Sequence, residues 1–138
     1  MWSGGDLSHN LNEFILNNLT GTCSTEWSSN KINSFKFTSN GAIANFQLNL
    51  TYKIVNDTLT ASFTCLNPNS TWVVKFYQLY NSSVLNARTM NVYASNNPQN
   101  ISISTTTLEN ITSIRLLIES SNNIGSTIFI DDVKLCKR

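Results

Sequence analysis

From Asn45 to Ile54 the side chains change character at every step. Phe46, Leu48, Leu50, Tyr52 and Ile54 are apolar, while Asn45, Gln47, Asn49, Thr51 and Lys53 are polar. A strand sends successive side chains to opposite faces, so this segment reads as a half-buried strand and not as a helix. Leu59, Ala61, Phe63 and Cys65, alternating with Thr60, Ser62 and Thr64, repeat the pattern. With Val55-Asn56-Asp57 as a tight turn, the two segments are expected to form a hairpin.

The same reading extends along the chain. Ile32–Thr38 carries Phe35 and Phe37, and Thr71–Tyr80 is rich in aromatic and β-branched residues. Trp72, Val74 and Phe76 form the expected core face of that strand, with Val73, Lys75, Tyr77 and Leu79 opposite. Arg88–Ala94 alternates Met90, Val92 and Ala94 with Thr89, Asn91 and Tyr93. Ile101 and Ile103 mark a short strand, Ile111–Glu119 turns Ile114, Leu116 and Ile118 inward, and a closing strand starts near Ser126. Turn clusters at Leu66-Asn67-Pro68-Asn69-Ser70 and Asn96-Asn97-Pro98-Gln99 separate them. Between Asn10 and Asn30, the residues Leu11, Phe14, Ile15 and Leu19 fit one helical turn or an irregular strand. About eight strands with turn signals every ~8–12 residues imply an all-β sandwich or barrel. The 138 residues suit one continuous domain, residues 1–138, with residues 1–6 expected to be a flexible N-terminus.

Charge excludes several functions. Only 12% of residues are charged and the net charge is +1, so no basic stripe exists to hold nucleic acid. No apolar run reaches the ~18 residues needed to cross a membrane as a helix. Polarity comes instead from 21 Asn, 18 Ser and 15 Thr, a composition that suits extracellular β-proteins and contact with sugar hydroxyls. Seven Asn-X-Ser/Thr sequons, near the number such a composition produces by chance, carry little weight. Met1–Asp6 lacks a basic region followed by an apolar one, as expected of an excised domain or one carried inside a virus particle. Cys23, Cys65 and Cys136 match no metal-site spacing and read as small apolar residues near a core.

The chain is poor in catalytic chemistry. Its single histidine, His9, lies near the terminus, away from any triad partners. A glycosidase needs two carboxyl groups facing each other across a cleft. Asp131 and Asp132 are adjacent and, on a regular strand, diverge to opposite faces. No phosphate-cradling glycine loop is present. The expectation is a protein that is not an enzyme.

The closing segment Thr127-Ile128-Phe129-Ile130-Asp131-Asp132-Val133-Lys134-Leu135 runs an apolar strand into two carboxylates. Carboxylates are costly in a core unless paired, hydrogen-bonded or bound to a cation. This ending resembles the "V-Y-I-D-D-V-K-L" close of the jelly-roll carbohydrate-binding modules of the family 4/9/22 type, in the galactose-binding-like fold. Leu59–Cys65 resembles their "Y-T-L-S-F-Y-V" strand, Ile114–Glu119 their penultimate strand, and Ile32–Phe46 their early "G-S-L-K-F-T-S-N-G" region. The likeness spans most of the chain from about Leu11. It departs at the usual "N-G-F-E-x-G…G-W" opening, echoed only by Asn12-Glu13-Phe14 and Trp27.

The resemblance implies an all-β, two-sheet antiparallel jelly roll. It also implies a structural Ca²⁺ held by Asp131, which follows the inward Ile130, together with backbone carbonyls of the N-terminal segment. A carboxylate accepting backbone N–H bonds at a β-bulge is the alternative. Sugar binding in such folds stacks pyranose faces on aromatic rings flanked by polar groups. Lys75, Tyr77, Asn91 and Tyr93 are the candidate β-face cluster, and Trp27, in a polar loop, is the candidate loop contact. The expected function is a non-catalytic adhesion or attachment module that binds a polysaccharide or cell-surface glycan. It would belong to a larger extracellular, cell-surface or virion assembly. The alternative is a structural or host-attachment jelly roll of a phage or virus tail or a surface adhesin, acting through protein–protein assembly as a homo-oligomer, expected to be a trimer.

Overall fold

The computed structural model describes residues 2–5, 14–17, 19–24, 34–39, 43–53, 55–121 and 125–137. They form eleven strands: β1 (Trp2–Gly5), β2 (Phe14–Asn17), β3 (Leu19–Ser24), β4 (Ser34–Ser39), β5 (Ile43–Thr51), β6 (Thr58–Leu66), β7 (Trp72–Tyr80), β8 (Ser83–Val92), β9 (Gln99–Thr106), β10 (Ser113–Ser121) and β11 (Thr127–Lys137). All eight strands expected from alternation are present, and β1, β2 and β3 are additional. Trp2–Gly5, where a loose terminus was expected, pairs antiparallel with β11.

The strands make two sheets. One has the order β3-β4-β11-β6-β9, with β1 also paired to β11; the other has the order β2-β5-β10-β7-β8. Every pairing is antiparallel. The chain is thus a two-sheet antiparallel β-sandwich. Phe46, Leu48, Trp72, Val74, Phe76, Ile114, Leu116 and Ile118 of the five-stranded sheet meet Leu59, Ala61, Phe63, Cys65, Ile101, Ile103, Ile128, Ile130, Val133 and Leu135 of the other. Period-two alternation builds this interior because each strand buries every second side chain. Burial pushes the Cys65 thiol up to about 12.

Three local features differ from the expectation. β5 and β6 are not a hairpin: β5 pairs with β2 and β10, and β6 with β9 and β11. Alternation sets which face is buried but not which strand is the neighbour. The link between them crosses from one layer to the other, with Asn56 in a left-handed conformation (φ 60°). It bonds to β9's far end, through Asn56 N–H to Thr107 O (3.0 Å) and Thr107 N–H to Asp57 O (2.8 Å). The Tyr52 hydroxyl donates to the Asp57 carboxylate across the same link.

Second, Leu79 is buried although it stands on the outward side of β7 with Tyr77. The β-bulge here lies in β8, at Leu85, while the β7–β10 ladder runs unbroken through Leu79 opposite Ser113, so Leu79 keeps the outward side and is buried there, outside the core cluster. Third, β11 does not send Asp131 and Asp132 to opposite faces. Its register with β6 slips by one residue between Asp131, opposite Thr64, and Lys134, opposite Ser62. Asp132 sits at the slip with φ 58°. The bulge leaves both carboxylates on the outer side while Ile130 and Val133 still enter the core, so the core takes no bare charge.

Candidate functional site

Three of the rows that strand register sets on the outer side of the five-stranded sheet cross its middle. The first row crosses Ala87, Tyr77, Arg115 and Asn49; the second crosses Thr89, Lys75, Leu117 and Gln47; the third crosses Asn91, Val73, Glu119 and Asn45. β7 and β10, two of the three inner strands, thereby place Val73, Lys75, Tyr77, Arg115, Leu117 and Glu119 near the middle of the face. An aromatic ring and two aliphatic side chains alternate there with both signs of charge.

The polar groups are fixed by one another. Lys75 Nζ lies 3.4 Å from Glu119 Oε1, diagonally across the β7–β10 ladder. Arg115 Nε donates to Asn49 Oδ1 at 2.7 Å, and Gln47 Nε2 donates to Asn45 Oδ1 at 3.2 Å. Leu117 points off the sheet yet is only 7% exposed, so it is an apolar floor between Lys75 and Gln47. A guanidinium carries five donors, and Arg115 commits only Nε to Asn49. Chemically, the described side chains of this surface offer a ring face, an apolar floor, donors and acceptors.

The predicted cluster is only partly brought together. Lys75 and Tyr77 share the middle of the face. Asn91 stands opposite Val73, four residues along β8 from the partner of Tyr77, or about 13 Å away. Tyr93 lies past the end of β8 and is 67% exposed. Its carbonyl accepts from Asn67 Nδ2 (3.3 Å) and Gln99 Nε2 (3.0 Å), which anchors it to the sandwich end. Trp27 lies outside the described residues. Arg115, Leu117, Glu119 and Asn49 are the partners that sequence reasoning missed. The signal was present in β10, where Arg115, Leu117 and Glu119 alternate with the inward Ile114, Leu116 and Ile118.

The six-stranded sheet presents a different outer face. Cross-strand pairs of β6 and β9 read Thr58–Thr106, Thr60–Ser104, Ser62–Ser102 and Thr64–Asn100. Thr60 and Ser104 hydroxyls lie 2.8 Å apart, and Thr64 Oγ1 donates to Asn100 Oδ1 at 3.1 Å. A shallow hollow of about 240 Å³ borders Ser62, Thr64, Asn100, Ser102 and Asp132. Asp132 is paired to Lys134 at 3.4 Å. Asp131 is largely buried beside it and opposite Thr64. Among the described residues, no group of three or more His, Cys, Asp or Glu side chains gathers to hold a metal. Asp131 brings one carboxylate to this point, with Asp132 next to it in β11, and the backbone of β1 ends at Gly5, opposite Val133, two residues away.

Solved structures share this architecture. A chain from the tailspike protein 4 of bacteriophage CBA120, described as its enzymatically active domain, superposes with TM-score 0.81 over 98% of the present chain at 14% identity. The match occupies 21% of that tailspike chain, so the present chain spans about one fifth of it. A family 22 xylan-binding module of Xyn10C from Paenibacillus barcinonensis matches with TM-score 0.73 over 99% of this chain and 92% of its own, at 12% identity. The carbohydrate-binding module TmCBM61, solved with β-1,4-galactotriose, matches with TM-score 0.68 over 97% of this chain and 94% of its own, at 13% identity. The chain therefore has the jelly-roll sandwich fold of these carbohydrate-binding modules, as the sequence motifs implied. No protein-family model and no curated protein matches it.

Proposed function

We propose that this chain is a non-catalytic glycan-binding module, docking a polysaccharide or cell-surface glycan on the outer face of the five-stranded sheet. The observation that carries the reading is the middle of that face: the Tyr77 ring and the Leu117 floor framed by the Lys75–Glu119 and Arg115–Asn49 pairs. A sugar face rich in C–H groups buries apolar area on a ring, while its hydroxyls need donors and acceptors already held in place. Fold-level likeness to modules solved with β-1,4-galactotriose or described as xylan-binding supports the same reading. The module would serve a larger assembly that is extracellular, on a cell surface or in a virion.

A glycan array followed by titration of each hit tests it. Tyr77→Ala is expected to weaken binding about tenfold, and Trp27→Ala measures the separate loop contact. Unchanged affinity in Tyr77→Ala removes the face from the proposal.

The tailspike match favours a second reading, in which the module helps build or aim a phage tail or adhesin. That reading expects a homo-oligomer, trimeric in light scattering, where a free-standing binding module is monomeric. A structural Ca²⁺ at Asp131, completed by oxygens of the N-terminal segment, belongs to the same proposal. Chelator is then expected to lower the melting temperature, and Asp131→Asn to remove that sensitivity. Identical melts with and without chelator discard the metal.

A further inference from the structure

At the end of the sandwich carrying the β7–β8 turn, a hollow of about 590 Å³ is bordered by Tyr80, Leu85, Glu109 and Asn110. We propose that it is a second sugar-binding site, separate from the sheet face, which takes a single neutral pyranose ring. The inference rests on the reading that the chain binds glycans.

The two walls come from distant parts of the sequence and are tied together. β7 turns into β8 through Asn81 and Ser82, both left-handed (φ 45° and 75°), the backbone of a two-residue hairpin turn. The opposite wall is the link from β9 to β10, which makes its own tight turn at Asn110 (φ 67°). Thr112 N–H donates to Leu79 O at 2.8 Å, and Asn81 N–H donates to Thr112 Oγ1 at 2.9 Å. Beneath them, buried Gln78 accepts from Leu108 N–H (2.8 Å) and donates to Thr105 Oγ1 (2.8 Å) and Thr106 O (3.0 Å). Ile111 is buried and pins the loop to the core. The hollow is thus already shaped, which lowers the entropy cost of binding.

Its chemistry is that of a sugar subsite. Tyr80 and Leu85 are 47% and 45% exposed, an unusual outlay of apolar area beside Val84 and Leu108, which are also exposed. A ring and an aliphatic side chain take the C–H face of a pyranose. The Glu109 carboxylate accepts from two neighbouring hydroxyls, and the Asn110 amide both donates and accepts. Among the described residues no lysine or arginine lines the hollow, and Glu109 repels a sugar carboxylate, so neutral pyranoses are preferred over uronic acids.

Amide-resolved NMR titration of the whole chain distinguishes this site from the sheet face. The probes are methyl β-galactopyranoside, methyl β-xylopyranoside and galacturonic acid. At least one neutral glycoside is expected to shift the amides of Tyr80, Leu85 and Asn110, with galacturonic acid at least about fivefold weaker. Tyr80→Ala is expected to weaken this site about tenfold while Tyr80→Phe keeps it, and Glu109→Gln to narrow the gap between neutral and acidic sugars. Retained spectral dispersion confirms that each variant folds. Shifts confined to residues 73–77 and 115–119 overturn this site and leave the sheet-face reading standing. Shifts at neither place overturn both. Galacturonic acid binding as well as the neutral sugars, or self-association relieved by Tyr80→Ala without sugar shifts, also overturns it.

Discussion

The two outer faces of this sandwich are built by the same alternation and made of different chemistry. On the six-stranded side, β6 and β9 pair hydroxyl with hydroxyl or amide, from Thr58–Thr106 to Thr64–Asn100. Thr60 bonds Ser104 and Thr64 bonds Asn100, and no aromatic residue stands in these β6–β9 pairs. On the five-stranded side, β7 and β10 put Tyr77, Leu117 and two fixed polar pairs side by side. Hydroxyl ladders keep a sheet soluble with little charge. A ring, an apolar floor and held charges offer affinity that solubility alone does not require. The contrast, more than the number of polar residues, is what distinguishes the two faces in a chain with 21 asparagines.

If the difference lies only in the outer surfaces, lesions beneath either sheet should be equally damaging. Phe76 of β7 and Phe63 of β6 are both buried in the one interior. Phe76→Ala and Phe63→Ala are each expected to cost about 3–5 kcal/mol in urea unfolding. A large loss under one sheet alone breaks the symmetry on which the comparison rests.

The faces were legible in the sequence and the neighbours were not. Alternation identified Lys75 and Tyr77 as outward and Trp72, Val74 and Phe76 as inward, because that depends only on the pleat. It could not show that Leu79, on the outward side, is nonetheless buried. It paired β5 with β6 because they are adjacent in sequence, whereas their partners β10 and β11 lie more than fifty residues on. Arg115 and Leu117 could join Tyr77 only after β10 was known to lie between β5 and β7. β2 and β3 escaped detection because strands of four and six residues show too few alternations to exclude a helical turn. The aspartate pair marked a special place, and a β-bulge lies there.

The link where the chain leaves the five-stranded sheet for the hydroxyl-rich one gives a smaller, pH-dependent test. Tyr52 is pushed up to about 12 from 10.0 by desolvation first, then by its hydrogen bond to Asp57 and that residue's charge. A raised folded value means the protonated phenol stabilises the fold. That contribution is complete below about pH 10 and disappears as the pH climbs through about 12. Tyr52→Phe should therefore be less stable than the parent at about pH 8, and the gap should close by about pH 12. Loss that persists in the variant from about pH 9 upward belongs to Cys65, raised from 9.0 to about 12 by burial.

The smallest effect separates the faces most directly. Lys75 and Glu119 are 3.4 Å apart with side chains 29% and 23% exposed. A pair with that much solvent contact contributes only about 0.2–1 kcal/mol. The Thr60–Ser104 contact of 2.8 Å on the other face is of similar size but neutral. Salt tells them apart, because screening shrinks to about 3 Å at 1 M and reaches only the charged pair. Double-mutant cycles with Lys75→Ala and Glu119→Ala, and with Thr60→Ala and Ser104→Ala, measure each coupling at low and high salt. The first coupling is expected to fall toward zero and the second to stay unchanged. Equal behaviour would mean that Lys75 and Glu119 are held by packing on Leu117 and Val73, and that the five-stranded face owes its character to shape instead of charge.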